Sequence, residues 1–153
     1  LLIFIPKLET MKIAIGCDHA GVEVKGAIIE LLEGKGHSMI DKGPFSTESV
    51  DYPDYGHQVA EVVESKEADL GVVICGSGNG INMTVNKHQG IRGALCWLPE
   101  IASLARQHND ANIITIPARF LSQEEINTII TAFIEAEFEG GRHGRRVNKI
   151  SCG

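Results

Sequence analysis

The chain has no Cys-x-x-Cys pair, no long apolar run, no excess of positive charge, and no internal repeat or low-complexity stretch. Each absence removes a class of function. Cys17, Cys75, Cys96 and Cys152 stand apart at spacings that do not suggest a zinc site, and the chain reads as a reduced cytosolic protein. The opening Leu1–Ile5 run is too short for a signal-peptide core and far short of the ~20 apolar residues of a membrane helix. It precedes Met11, which has the look of a natural start. Residues 1–10 are therefore expected to be an upstream-start or vector-derived extension, and 11–153 a single domain with a basic C-terminal tail. Acidic residues outnumber basic ones by 20 to 14, which disfavours nucleic-acid binding, since that draws its affinity from a basic surface.

Familiar nucleotide and hydrolase motifs are missing as well. Gly76-Ser-Gly-Asn-Gly80 is not the dinucleotide fingerprint, because Ile81 stands where the third glycine belongs, and no Walker Lys-Ser/Thr follows. A nucleophile elbow would need glycine where Cys75 stands, and H-E-x-x-H does not occur.

What is present is a βα series. Short runs rich in Ile, Val or Ala predict strands at Lys12–Gly16, His37–Asp41, Leu70–Cys75, Ile91–Cys96 and Asn112–Pro117. Amphipathic stretches predict helices at Gly21–Gly34, Tyr55–Ser65, Asn79–Lys87, Pro99–His108 and Gln123–Phe138. Ser122 with Glu125 fits a capping box, and Pro99 suits a first helical turn. Strands alternating with helices imply an α/β domain, a doubly wound five-stranded parallel sheet in a Rossmann-like three-layer sandwich. A chain of 153 residues is long enough to bury such a core without disulfides or a structural metal.

In sheets of this kind ligands collect beyond the carboxyl ends of the strands. The stretch Asp69–Gly80 is the most telling, because a β-branched strand ends in Cys75 and opens into Gly76, Gly78 and Gly80, whose N–H groups can converge on an oxyanion. A helix N-terminus and cations nearby would lower the pKa of a thiol placed there and make Cys75 a base or nucleophile. Its bland role is that of a small buried hydrophobe. Asp18 and His19 follow the first strand and can move protons or grip a phosphate, although an aspartate there is often only a helix cap. His108 and Asn109 sit at a predicted helix end, where the dipole and capping account for such residues. Tyr52 falls in a loop, Asp51–Tyr55. Arg142, Arg145, Arg146 and Lys149 surround His143 in a tail that would by default be solvated. Together the thiol, the glycine cradle, the Asp-His pair and the basic cluster supply a base, an oxyanion stabiliser, proton movers and a phosphate clamp. Enediolate-forming isomerisation of a sugar phosphate needs that set.

The chain resembles the family of ribose-5-phosphate isomerase type B and galactose-6-phosphate isomerase subunits. The resemblance runs from Met11 to about Ile150 through Gly16-Cys-Asp-His-Ala-Gly21, Asp51-Tyr-Pro53, Ile74-Cys-Gly-Ser-Gly-Asn-Gly80, Asn86-Lys87, Gly90-Ile-Arg92, Arg106-Gln-His-Asn-Asp110 and Glu139-Gly-Gly-Arg-His143. It implies interconversion of ribose 5-phosphate and ribulose 5-phosphate in the pentose phosphate pathway, without metal or other cofactor. It further implies Cys75 as the base, Ser77 with His108 in ring opening, and Asp18 as a proton shuttle. The amides of Gly76, Gly78, Asn79 and Gly80 would hold the enediolate with Asn109 in support. His19, Arg119, Arg142 and Arg146 would bind phosphate, and Tyr52 and His143 would line the pocket. Members of the family are dimers or tetramers with the active site between subunits, so a homo-oligomer is implied, with no nucleic-acid or membrane partner.

Two family features are branch points. Where one branch lacks the cysteine and carries a glutamate after the glycine loop, this chain has Ile81 together with Cys75, which places it with the thiol branch. Ser77 stands where threonine is frequent and keeps the hydroxyl. Allose 6-phosphate and galactose 6-phosphate call for the same chemistry. A sugar-phosphate binding protein would not need Cys75, and a flavodoxin-like carrier or receiver domain would share only the fold.

Overall fold

The computed structural model describes residues 9–152; residues 1–8 of the expected extension lie outside them. Five strands form one sheet: β1 (Lys12–Cys17), β2 (Ser38–Asp41), β3 (Leu70–Cys75), β4 (Gly93–Leu95) and β5 (Ile113–Pro117). Their order is β2-β1-β3-β5-β4, and every pairing is parallel. The helices are α1 (Val22–Gly34), α2 (Tyr52–Glu64), α3 (Asn79–Val85), α4 (Pro99–Asn109), α5 (Gln123–Glu135) and α6 (Arg142–Val147), with short 3-10 turns at His19–Gly21 and Ala118–Phe120. The doubly wound sandwich expected from the βα series is the architecture found.

Strand alternation distributes the core between two layers. Ile13, Ile15, Cys17, Leu70, Val72 and Ile74 pack on one face with residues of α1, α4 and α5, including Leu32, Ala102 and Phe133. Ala14 and Val73 face the other layer, with Val59 and Val63 of α2 and Ile81 and Val85 of α3. Cys75, two residues beyond Val73, shares this second face. Burying one large aliphatic side chain contributes roughly 1.5–3 kcal/mol, so two such layers hold the fold without cross-links. All four cysteines are free thiols, and no helix among the described residues is long and apolar enough to cross a membrane.

Several element boundaries differ from the sequence reading for local reasons. β4 is three residues long instead of the six of Ile91–Cys96, because it lies on the sheet edge. There the Asn86 amide pairs with both the N–H and the C=O of Gly93, at 2.8 and 3.0 Å. α2 begins at Tyr52, so Tyr52 is a helical residue and not a loop residue; Pro53 fits this first turn. α3 stops at Val85 and α5 at Glu135, after which Ala136 is extended. The capping box is formed, with the Ser122 hydroxyl accepting from the Glu125 N–H and the Glu125 carboxylate accepting from the Ser122 N–H. The basic tail is also not simply a solvated strand of charges, since Arg142–Val147 form α6 against α4.

Lys25 fastens the carboxyl end of the sheet. Its buried ammonium donates to Asp41 Oδ1 (2.8 Å) and to the Pro44 carbonyl (2.7 Å). That loop in turn accepts the Cys17 N–H through Gly43 O, at 3.1 Å.

The buried thiols give the fold an alkaline limit. Burial pushes Cys17 and Cys96 up to about 12 from the ordinary value of 9.0. A folded-state pKa raised above the unfolded one means stability that is complete below pH 9 and is lost as pH climbs toward 12. The urea midpoint is expected to hold steady from pH 7 to 8.5 and to drop by pH 10.5; a midpoint independent of pH across that range would contradict thiol burial as the cause.

Candidate active site

The sheet order reverses between β1 and β3, and the register sets Cys17 beside Ile74. The next residues of these strands, Asp18 and Cys75, therefore emerge together at the switch point, where α/β sheets bind ligands. Asp18 has two tasks. Oδ1 accepts the Gly21 N–H at 3.0 Å, capping the 3-10 turn, and Oδ2 accepts the Cys75 thiol at 3.2 Å. The cap and the thiol contact thus coexist in one carboxylate.

Gly76–Gly80 wrap this pair. Gly78 has φ +79°, and a Cβ there would stand 2.6 Å from Leu95 Cδ1, so a side chain would both strain the turn and strike β4. Gly80 lies directly under the Tyr52 ring, whose hydroxyl would be 2.6 Å from an added Cβ. The Ser77 hydroxyl accepts from the Asn79 N–H at 3.3 Å. Arg119, just past β5, donates its N–H to Gly76 O at 3.1 Å and lays its guanidinium along Gly76. His19 Nδ1 accepts the Val50 N–H at 3.3 Å. Asp18, His19, Tyr52, Cys75, Gly76–Gly80 and Arg119 therefore share the carboxyl end of the sheet.

The other expected site residues do not join them within one chain. His108 and Asn109 close α4, which runs back to the amino end of the sheet before β5 begins. There the His108 ring stacks on His143 with centroids 4.2 Å apart and planes 8° from parallel. Glu139 ties the loop down by donating its N–H to Gln107 O at 3.0 Å, and Glu139 Oε1 lies 3.7 Å from His108 Nε2. Arg142, His143 and Arg146 are carried by α6 in the same place. The length of β5 (Ile113–Pro117) runs between the two ends of the sheet that carry these groups.

The Ribose/Galactose Isomerase family model matches residues 13–150. The chain belongs to this family. Among its relatives, ribose-5-phosphate isomerase B of Escherichia coli is 45% identical, over 92% of this chain and 95% of that one. A solved ribose 5-phosphate isomerase from Thermotoga maritima superposes with a TM-score of 0.91 at 45% identity, covering 94% and 99% of the two chains. The Mycoplasma genitalium ribose-5-phosphate isomerase B with bound ribulose-5-phosphate has a TM-score of 0.87 at 41% identity, covering 91% and 93%.

In this member of the ribose/galactose isomerase family the thiol does not have the lowered pKa expected from the sequence. Burial and the hydrogen bond to the Asp18 carboxylate push Cys75 up to about 11, against the opposing pull of the Gly76 and Gly78 amides. A carboxylate accepting the S–H stabilises the neutral thiol. Iodoacetamide, which attacks the thiolate, should therefore label Cys75 slowly at pH 7 and about tenfold faster per pH unit up to 10. Asp18→Asn should speed labelling at pH 8 while lowering turnover. Fast labelling at pH 7 in the native protein would contradict the thiol–carboxylate bond.

His143 is held below the ordinary imidazole range by desolvation and by the charges of His108 and Arg142 beside it. His108, Glu139 and His143 bring possible metal-ligand atoms within 4.8 Å of one another. A dication there would meet the positive field of Arg142 and Arg146, which suits an anion better. Glu139 carries no chemistry that is visible in the sequence alone. Its only signal was its place ahead of Gly140-Gly141-Arg142-His143.

Proposed function

We propose that the chain is an aldose–ketose isomerase that interconverts ribose 5-phosphate and ribulose 5-phosphate through a cis-enediolate, in the cytoplasm. The observation that carries this reading is the Cys75–Asp18 pair at 3.2 Å under a glycine cradle at the sheet's switch point, in a chain of the ribose/galactose isomerase family.

The chemistry follows from that pair. The thiol proton passes to Asp18, and the thiolate, facing the loop amides, removes the proton from C2 of the open-chain aldose. The electron pair forms the C1=C2 bond, and the charge that develops on O1 is met by the amides of Gly76, Gly78, Asn79 and Gly80. Asp18 gives its proton to O1 and accepts the one leaving O2, while Cys75 returns its proton to C1. Each proton removed is returned, so no external acid, base or oxidant is consumed.

Ser77 and His108 open the furanose ring, and Asn109 supports the reacting end. Arg119 and His19 hold the phosphate with Arg142 and Arg146, the planar guanidinium fork suiting that anion; Tyr52 and His143 wall the pocket. The placement of the two groups at opposite ends of the sheet in one chain supports a homo-oligomer in which one subunit's His108 group completes its partner's Cys75 group. A two-fold dimer builds two such sites, because an isologous interface makes each contact twice.

The test is conversion of ribose 5-phosphate to ribulose 5-phosphate in the presence of a chelator. Turnover that survives chelation supports the reading. Turnover of allose 6-phosphate or galactose 6-phosphate in its place would change the substrate but keep the chemistry, and tight binding with no turnover of any of the three would overturn it.

A further inference from the structure

Asp110 is one of two non-glycine residues with positive φ among those described, at φ 47° and ψ 42°, immediately after His108 and Asn109. Glycine is the usual occupant of a left-handed helix end. Here the position carries a carboxylate held between two guanidiniums. Arg92 Nη2 donates to Oδ2 at 3.3 Å and Arg106 Nη1 to Oδ1 at 3.1 Å. The same guanidiniums grip the main chain of this turn, Arg92 Nε donating to Asp110 O at 2.8 Å and Arg106 Nη1 to Ala111 O at 2.7 Å. Arg92 is in turn fixed from the neighbouring loop, its N–H donating to Asn112 Oδ1 at 2.8 Å while the Asn112 amide donates to Gly90 O at 2.8 Å.

Arg92 lies ahead of β4, and Arg106 is inside α4 with its ring-side contact on Phe133. Neither lies among the residues given a chemical role above, yet both converge on the turn that orients the His108–Asn109 end of α4. We propose that Arg92 and Arg106 are positioning residues for this half of the active site, locking Asp110 so that His108 keeps its stack on His143. The proposal rests on the assignment of His108 to ring opening.

A stabilising role alone and a positioning role predict different results for Asp110→Gly. This substitution keeps the left-handed turn without steric cost and removes only the carboxylate. Positioning predicts that kcat on ribose 5-phosphate falls between about 10- and 100-fold, the range for a displaced catalytic group, while KM stays near its starting value. On the 4-deoxy analogue, which has no C4 hydroxyl and cannot close to a furanose, the loss is less than twofold. His108→Asn shows the same split, and the double variant is no worse than His108→Asn alone. Arg92→Lys, which keeps the charge but loses the fork, shifts kcat in the same direction.

Proton NMR of the His108 ring, identified by its disappearance in His108→Asn, gives a readout independent of turnover. Its ring-current shift from His143 collapses in Asp110→Gly. An unchanged His108 resonance, or losses that simply add in the double variant, would overturn the proposal. If His108→Asn instead slows both substrates equally while the resonance still moves in Asp110→Gly, the clamp stands and the ring-opening assignment fails.

Discussion

Cys75→Ala is expected to lower kcat by about 10⁴-fold, the upper range for loss of a general base, with binding of ribose 5-phosphate preserved. The thiol sits between a carboxylate and two backbone amides, none of which can take a proton from carbon with the same geometry. Asp18 is the nearest other base, but its Oδ1 is committed to the Gly21 N–H, and its Oδ2, paired with the sulfur at 3.2 Å, is assigned to the protons of O1 and O2. The phosphate contacts assigned to His19, Arg119, Arg142 and Arg146 remain, so calorimetric affinity should change little. Cys75 is only partly buried, and its removal leaves no enclosed cavity, so the fold should survive. A variant retaining kcat within tenfold of the parent would show that Cys75 is merely a small residue at a strand end. Cys75→Ser sharpens the test, because a hydroxyl fills the same place but is a far poorer source of an anion. It should be nearly as inactive.

The parts of the fold that depend on local pattern were legible in the sequence. Val72, Val73 and Ile74 announce a strand buried on both faces, and all three are fully buried; Ser122 and Glu125 announce a helix start that forms as drawn. The order of the strands was not legible. Whether β4 or β5 takes the edge depends on which pairs with β3, and the answer lies in contacts such as Asn86 on Gly93, distant from any periodicity. The thiol's pKa was misjudged for a related reason. Glycines and a helix start are visible in sequence beside Cys75, whereas Asp18, 57 residues away, becomes its neighbour only through the β1–β3 register. α6 was missed because Arg142-His-Gly-Arg-Arg-Val147 has no apolar stripe; it is held from outside, by α4 and the His108–His143 stack. The resemblance names the residues of both groups as candidates, but only the chain's path through α4 and β5 shows that they occupy opposite ends of the sheet.

That separation leads to the second large effect. Cys75→Ala and His108→Ala proteins, each expected to keep less than about a hundredth of native turnover, should regain activity when their subunits are exchanged. In a mixed dimer one site takes Cys75 from the His108→Ala chain and His108 from the Cys75→Ala chain, and is intact. The other site collects both substitutions and is dead. Random exchange of equal amounts makes half of the dimers mixed, so the preparation should reach about a quarter of native turnover, because an isologous pair builds two equivalent sites. Mixed dimers isolated through two different tags should reach about half. A site built within one chain permits no such rescue, since every subunit would carry one broken part. Met83 on α3 is 65% exposed and Trp97 after β4 is 51% exposed, apolar side chains of the kind that a subunit interface would cover. Met83→Glu, which puts a charge on that surface, should then cost native protein both its dimer and its turnover, while leaving the Cys75–Asp18 bond inside each chain intact. Loss of turnover with the dimer unchanged would place Met83 in the pocket, and failure of the mixed preparation to exceed its parents would return both halves of the chemistry to a single chain.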